Sequence, residues 1–270
     1  MIRVGVAGAS GRMGRALLEA ATTTEGIVLG AALDVAGSPF VGRDAGELAA
    51  AAKGVKVVSD LAQGLAGCDV LIDFTRPEGT LMHAAACAKH GVALVAGTTG
   101  LTAAQQDALA RHARSIPIVH AANMSVGVNV LADLVGRAAK ALGDAYDIEI
   151  VEMHHRHKVD APSGTALMLG AAAADGAGVD LKQAGVYARE GTTGERRKGT
   201  IGFATLRGGD VVGEHVVVFA GEGERVELAH RATSRRMFAD GALRAVRFVA
   251  AHRRERRAGL FDMRDVLGLR

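Results

Sequence analysis

The stretch Gly8-Ala9-Ser10-Gly11-Arg12-Met13-Gly14 constrains this chain more than any other. It follows a short apolar run, Ile2 to Val6, and precedes a helix-like stretch through Arg15-Ala16-Leu17-Leu18-Glu19. Glycines in that place permit a tight turn and let the backbone approach a pyrophosphate. The helix that follows presents free N–H groups and a partial positive charge to the same anion. A second apolar run, Ile27 to Leu33, ends at Asp34, 20 residues after Gly14, where a carboxylate can accept hydrogen bonds from an adenosine ribose. The glycine spacing is a GxxGxxG variant of the usual GxGxxG, and a structural turn is the plainer reading of the loop by itself. The strand–turn–helix context is what points to a dinucleotide.

The pattern continues through the first half. Val55 to Val58, Val70 to Phe74, Ala93 to Ala96 and Pro117 to Val119 read as strands, with helices expected over Glu78 to His90 and Thr102 to Ser115. Strands this apolar, alternating with helices, imply a parallel sheet covered on both faces. The second half differs. A helix is expected over Val126 to Leu142, then a strand bearing two carboxylates, Ile148 to Met153, a histidine-rich segment and a helix from about Thr165. Thr200 to Leu206, Val211 to Ala220 and Arg225 to Ala232 follow with no helix between them, the mark of a largely antiparallel sheet. The expected fold is α/β: a Rossmann-type doubly wound parallel sheet in residues 1–125, and an α+β domain with a mostly antiparallel or mixed sheet in residues 126–235. A helix from Phe238 to about Arg254, with a short tail, makes up residues 236–270 and is expected to pack back on the first domain.

Composition narrows the partners. Of 270 residues 49% are hydrophobic, yet there are only 2 Tyr, 7 Phe and no Trp, so the core must be aliphatic. The net charge of +3 is small, and few aromatics are available to stack on bases, so nucleic acid is not expected as a partner. The cluster Arg253-Arg254-Glu255-Arg256-Arg257 reads as a solvated helix end. Cys68 and Cys87 form no metal-ligand spacing and suit a reducing compartment. The amino-terminal run lacks the pattern of a signal peptide, and no apolar run approaches the ~20 residues that span a bilayer. A cytoplasmic protein with no membrane partner is the expectation.

Three further segments carry chemistry. Gly97-Thr98-Thr99-Gly100 follows a strand and is either a simple turn or a place where a nicotinamide or ribose lies against the backbone. Ala121-Ala122-Asn123-Met124 is similarly placed, and Asn123 offers a donor and an acceptor to a carboxamide. Glu152-Met153-His154-His155-Arg156-His157-Lys158 is the densest signal. Its spacing is not HExxH, and Arg156 and Lys158 would repel a cation, so no metal is expected. A solvated polar loop is the bland reading; acid–base chemistry beside an anion is the functional one. If the segment is extended, His154, Arg156 and Lys158 point the same way, and a lysine among cations has its pKa lowered. Just downstream, Asp160-Ala161-Pro162-Ser163-Gly164-Thr165 opens a helix that Ser163 or Thr165 can cap, leaving N–H groups for a carboxylate or phosphate. A cationic acid–base segment beside an anion-binding helix start, in a chain with a nicotinamide site, suggests reduction of a small polyanion.

The stretch E-M-H-H-R-H-K-V-D-A-P-S-G-T, Glu152 to Thr165, resembles the signature of the 4-hydroxy-tetrahydrodipicolinate reductase family, also called dihydrodipicolinate reductases. The resemblance runs nearly end to end, through Gly8 to Gly14, Asp73 to Pro77, Gly97 to Gly100, Asn123 to Asn129, Arg189 to Gly191, Gly199 to Phe203, Gly213 to His215 and Gly259 to Met263. It implies an NAD(P)H-dependent reductase of the diaminopimelate route to lysine. His154 would be the acid/base and Lys158 the proton donor; His155, Ser163, Gly164 and Thr165 would hold a cyclic dicarboxylate. The cofactor would lie on Gly8, Ala9, Ser10, Gly11, Arg12, Met13, Asp34, Gly97, Thr98, Thr99, Ala121, Ala122, Asn123 and Met124. The family also implies a homotetramer built through the second-domain sheets. Two departures stand out: Val35 occupies a position where many members carry Arg, and Met124 one where Phe is common. NADH and NADPH both remain candidate cofactors: Asp34 beside Val35 leans towards NADH, while Arg12 and Arg43 could supply a countercharge to a 2′-phosphate from elsewhere. A cationic His154 with Lys158 would attract the substrate carboxylates, and closure of the domains would exclude water. The rival readings are another NAD(P)-dependent dehydrogenase of amino-acid metabolism and a non-enzymatic NAD-sensing module.

Overall fold

Strands whose residues are buried in succession must be covered on both faces, and the first half of the chain is built that way. The computed structural model describes residues 1–270. In chain order the elements are β1 (Ile2–Ala7), α1 (Arg12–Thr23), β2 (Ile27–Leu33), β3 (Val57–Val58), α2 (Leu61–Leu65), β4 (Val70–Asp73), α3 (Pro77–His90), β5 (Ala93–Ala96), α4 (Ala103–His112) and β6 (Pro117–His120). Then come α5 (Val126–Leu142), β7 (Asp147–His154), α6 (Gly164–Ala177), α7 (Leu181–Ala184), β8 (Gly185–Val186), β9 (Ile201–Arg207), β10 (Gly213–Ala220) and β11 (Arg225–Ala232). The chain ends with α8 (Arg236–Arg254), β12 (Gly259–Phe261) and α9 (Met263–Leu267). Met1–Ser125 with Arg236–Arg270 forms one unit, and Val126–Arg235 the other.

The first unit holds a seven-stranded sheet, ordered β12-β6-β5-β4-β1-β2-β3 and parallel throughout. The order reverses between β1 and β4, which creates a crevice at their carboxyl ends. Alternate strand residues serve opposite faces. Leu33, Leu71, Leu94 and Ile118 join Leu65, Cys87 and Leu109 in a core under α2, α3 and α4. The other face is covered by α1, which packs on β1 and β2, and by α8, which packs on β4, β5 and β6 and against α1. Pro77 starts α3 where its missing N–H costs nothing. Residues 55 and 56, expected in β3, pair instead with the segment before it: Ala45 N–H donates to the Val55 carbonyl, and Lys56 bridges Asp44. In the short tail, Gly259–Phe261 adds an edge strand parallel to β6. The basic helix end is not simply solvated either: Arg253 reaches Asp69 at 2.9 Å and the Gly91 carbonyl at 2.7 Å. No helix of the chain is long and apolar enough to cross a membrane.

The second unit has a five-stranded sheet, ordered β11-β10-β7-β9-β8. It is mixed: β10 is antiparallel to both β7 and β11, while β9 runs parallel to β7 and β8. β9 and β10 are consecutive in sequence but lie on either side of β7, so no hairpin joins them. β7 alternates strictly between half-exposed and buried residues. Its inner face meets α5 and α6 through Ile148 and Ile150, with Phe203, Val217, Phe219, Leu131 and Leu169. α6 sits close: a Cβ on Gly170 would stand 2.5 Å from the Phe203 ring. The outer face carries Val151, Met153, Val216 and Val218, half exposed, and Leu206, exposed.

Candidate active site

The crevice of the first unit is lined by the glycine loop. Gly8 adopts φ +70°, and its carbonyl accepts from Gly11 N–H at 3.0 Å. A Cβ on Gly14 would fall 2.1 Å from the Gly8 oxygen, so only glycine lets α1 start this close to the turn. Gly11 caps the helix without any side-chain bond, leaving the first-turn N–H groups for an anion. Asp34, at the end of β2, accepts from Ser10 N–H and the Ser38 hydroxyl on one oxygen, both at 3.1 Å, and from Val35 N–H on the other at 2.9 Å. A carboxylate has about four acceptor positions, so Asp34 keeps capacity for a ribose hydroxyl while anchoring the loop. Glycines that a side chain would displace, an uncapped helix start and a partly engaged carboxylate all fit a dinucleotide.

The neighbouring loops are shaped from beneath. A Cβ on Gly97 would meet the Phe74 ring at 2.2 Å. Thr98 is buried, its hydroxyl bonded to Thr80 at 2.7 Å and its carbonyl to His120 Nε2 at 3.0 Å, whereas Thr99 is exposed. Under this loop lies Asp73, fully buried, which accepts from Thr75 N–H at 2.8 Å and stands 3.2 Å from His83 Nδ1. Burial pushes its carboxyl upward, but His83 and the neighbouring threonines outweigh that and hold it below the ordinary range. Ala121 N–H continues the ladder to the Ala96 carbonyl, and Asn123 Oδ1 accepts from Ser125 N–H at 2.8 Å. The Met124 side chain is buried.

In the second unit the inner face of the sheet turns from apolar to polar at its last two rows. Strand register sets His215, Glu152 and Thr205 side by side, and places Arg207 beside His154. Glu152, 1% exposed, gathers the row. It receives His154 Nδ1–H at 2.6 Å, the Arg207 guanidinium at 2.8 and 2.9 Å, Ser163 N–H at 3.0 Å and the Thr205 hydroxyl at 3.3 Å. Burial would raise the Glu152 carboxyl, but Arg207, His154 and Ser163 more than offset it and keep the group ionised. His154 is pushed below the ordinary imidazole range by burial, with Glu152 acting against that and Lys158 and Arg207 adding to it. The cationic His154 expected from sequence is therefore corrected to a neutral imidazole near pH 7.

Ser163 begins α6: its hydroxyl accepts from Ala166 N–H at 3.1 Å and bonds His215 Nε2 at 3.0 Å. Gly164 and Thr165 form the first turn of that helix. Burial, then His154, pushes the buried His215 down to about 4. After His154 the chain does not stay extended. Residues 156 and 157 form a turn, closed by Lys158 N–H to the His155 carbonyl at 3.1 Å and held to the 208–211 loop through Val211 and Gly209. The shared direction expected for His154, Arg156 and Lys158 is thus corrected. Lys158 does not stand among cations alone; its Nζ lies 2.8 Å from Asp160. No group of three or more His, Cys, Asp and Glu is arranged to hold a metal ion.

The structure brings His154, His155, Lys158, Ser163, Gly164 and Thr165 into one neighbourhood, and Gly8 to Met13, Asp34, Gly97 to Thr99 and Ala121 to Met124 onto the carboxyl ends of β1, β2, β5 and β6. Sequence reasoning did not single out Glu152, Arg207, His215 or the Asp73–His83 pair. The two-residue period of β7 was the available signal for Glu152, since it sets that residue on the face of His154. Arg207 lies 55 residues from Glu152 and has no local signal.

The family models and the curated relatives agree on one family. Residues 2–124 match the family model described as dihydrodipicolinate reductase, N-terminus, and residues 127–267 the model for its C-terminus. The 4-hydroxy-tetrahydrodipicolinate reductase of Cupriavidus taiwanensis is 57% identical over 269 residues, covering 100% of both chains. That of Burkholderia ambifaria is 58% identical with the same coverage. A dipicolinate-bound dihydrodipicolinate reductase from Paenisporosarcina sp. TG-14 superposes with a TM-score of 0.74 at 25% identity, covering 97% of each chain. A probable dehydrogenase from Thermotoga maritima shares the fold, with a TM-score of 0.61 at 15% identity.

Proposed function

The chain belongs to the dihydrodipicolinate reductase family, and from that membership we propose how its residues divide the work of the reaction. The activity is the NAD(P)H-dependent reduction of 4-hydroxy-tetrahydrodipicolinate to tetrahydrodipicolinate with loss of water, in lysine biosynthesis through diaminopimelate. The observation that carries the assignment of roles is the end of β7: an imidazole bonded to a buried carboxylate, beside the amino terminus of α6 and a lysine.

The substrate is a cyclic dicarboxylate, a reading supported by the dipicolinate held by the Paenisporosarcina relative. One carboxylate rests at the amino terminus of α6, at Gly164 and Thr165 with His155 and Ser163 beside them, where the helix start favours an anion; the Ser163 N–H itself is held by Glu152. Lys158 supplies an ammonium to the same substrate. The dinucleotide would lie on Gly8 to Met13, Asp34, Gly97 to Thr99 and Ala121 to Met124; once the C4 hydroxyl and a C3 proton have left as water, it would supply the hydride that adds to C4 of the conjugated imine. The enamine carbon that results takes a proton from Lys158, and His154 exchanges a proton at its Nε2. Acid–base catalysis of this kind contributes about 10²- to 10⁴-fold. NADH is the preferred donor: Asp34 would repel a 2′-phosphate, Val35 is 71% exposed and uncharged, Arg43 is paired with Glu47, and Arg15 donates to the Ser10 carbonyl. The chain works as a homotetramer through the open sheet face bearing Val151, Met153, Leu206, Val216 and Val218.

The test generates substrate in situ from pyruvate and aspartate semialdehyde with the preceding synthase, and follows oxidation of NADH and NADPH at equal concentration. Substrate-dependent oxidation that drops by about 10² or more in His154→Ala and in Lys158→Ala is expected. Full turnover in either variant removes that residue from the mechanism. Light scattering that reports a monomer would remove the tetramer.

A further inference from the structure

We propose that Glu152 is the positioning residue of the proton-transfer site: it fixes His154 as the Nδ1–H tautomer, so that Nε2 alone exchanges the proton, while Gly213 keeps that nitrogen uncovered. This rests on the reading of His154 as the acid–base group. An ionised carboxylate only accepts hydrogen bonds. The 2.6 Å bond between Glu152 Oε2 and His154 Nδ1 therefore requires the proton on Nδ1. The carboxylate cannot escape that role, because Arg207 grips both of its oxygens and Ser163 N–H and the Thr205 hydroxyl hold the Oε1 side. Arg207 is itself tied down by a 2.6 Å bond to the Asp160 carbonyl.

The other edge of the ring faces β10. Continuing the β7–β10 register by one residue sets Gly213 beside His154, and a Cβ on Gly213 would stand 2.9 Å from Nε2. Any side chain there would cover the nitrogen left to work. Gly213 has no positive φ, so its need for glycine is one of space. The charged and titratable groups facing the ring are Glu152 on the same strand, Arg207 from β9, His215 from β10 with its ring edge-on at 5.1 Å, and Lys158 from the following turn. Glu152 favours the protonated imidazole against burial, Lys158 and Arg207. It sets both the tautomer and the proton affinity of His154, and it does so without touching substrate.

The experiment uses the full chain labelled with 15N-histidine, and the His154 signals are identified by their loss in His154→Asn. At neutral pH the wild type should show a protonated Nδ1 and a bare Nε2; a proton on Nε2 instead overturns the proposal. Kinetics are then measured on Glu152→Gln, which keeps the side-chain shape. kcat should fall about tenfold or more with KM changed little. The pH limb that belongs to His154 should move to lower pH by about one unit or more, since an opposing charge has been removed. Gly213→Ala should lower kcat with that limb in place. A Glu152→Gln enzyme that is merely less stable, with kcat and pH profile unchanged, refutes the proposal and leaves His154 in its role. Full turnover in His154→Asn refutes the acid–base reading itself and this inference with it.

Discussion

Replacing Val35 by arginine should shift the proposed cofactor preference towards NADPH. Val35 follows Asp34 directly and is 71% exposed, so a guanidinium at this position has room beside the adenosine ribose and displaces no packing. The Val35 N–H bond to Asp34 belongs to the backbone and survives the change. At about 4 Å in water-like surroundings a pair of unit charges is worth about 1 kcal/mol, and a doubly charged 2′-phosphate about twice that. Ordering an arginine side chain costs about 0.5–1.5 kcal/mol. The net is about 1 kcal/mol, or roughly a fivefold gain in relative affinity for NADPH. Dissociation constants of NADH and NADPH for wild type and Val35→Arg, measured by quenching of reduced-nicotinamide fluorescence, give the ratio. The gain should shrink as salt is raised past ~0.15 M, because the pair is exposed. A ratio that does not change, or a gain shared equally by NADH, would show that the 2′-phosphate does not lie beside residue 35.

Other outcomes follow from the same geometry. Gly14→Ala puts a methyl 2.1 Å from the Gly8 oxygen, and should weaken dinucleotide binding at least tenfold in titration calorimetry while leaving the second unit folded. Ser163→Ala removes a helix cap worth about 1 kcal/mol and a buried bond to His215 worth a similar amount. Urea unfolding followed by helical ellipticity should register a loss of about 2 kcal/mol, and KM for substrate should rise. Asp73→Asn should cost about 1–3 kcal/mol at neutral pH. Because the folded carboxyl of Asp73 lies below its unfolded value, its contribution is present above pH ~4 and is lost as pH falls through the folded value. The stability gap between wild type and Asp73→Asn should therefore close in acid; a gap that stays constant would mean that the charge contributes nothing.

The first unit was legible because strands buried on both faces leave continuous apolar runs, and β1, β2, β4 and β5 are written that way. The long helices α5 and α8 were legible for a related reason: each buries one stripe over 17 and 19 residues. What escaped depends on distant partners. Residues 55 and 56 look like the rest of β3, yet the 43–45 segment claims their backbone. The turn at Arg156 and His157 is imposed by carbonyls of Gly209 and Val211, and nothing within the histidine segment announces it. The same holds for the site. His154 and Lys158 carry recognisable chemistry in a short span, whereas the grip of Arg207 on Glu152 arises only when β9 is laid parallel to β7. The neutral state of His154 likewise follows from burial, which composition does not report.

The fit of α6 against the sheet has a consequence for how defects in this enzyme would present. The helix that supplies Ser163, Gly164 and Thr165 also passes Phe203 so closely that Gly170 has no room for a methyl. Gly170 lies seven residues along from Ser163, about two turns of helix. A packed helix moves as a rod, so the lever is mechanical: relief of crowding at residue 170 is delivered as displacement at residue 163, where bond lengths near 3 Å hold Glu152 and His215. An added carbon in an apolar seam would then be read in an assay as lost substrate affinity, and the lesion would be traced to the site although no polar atom had changed.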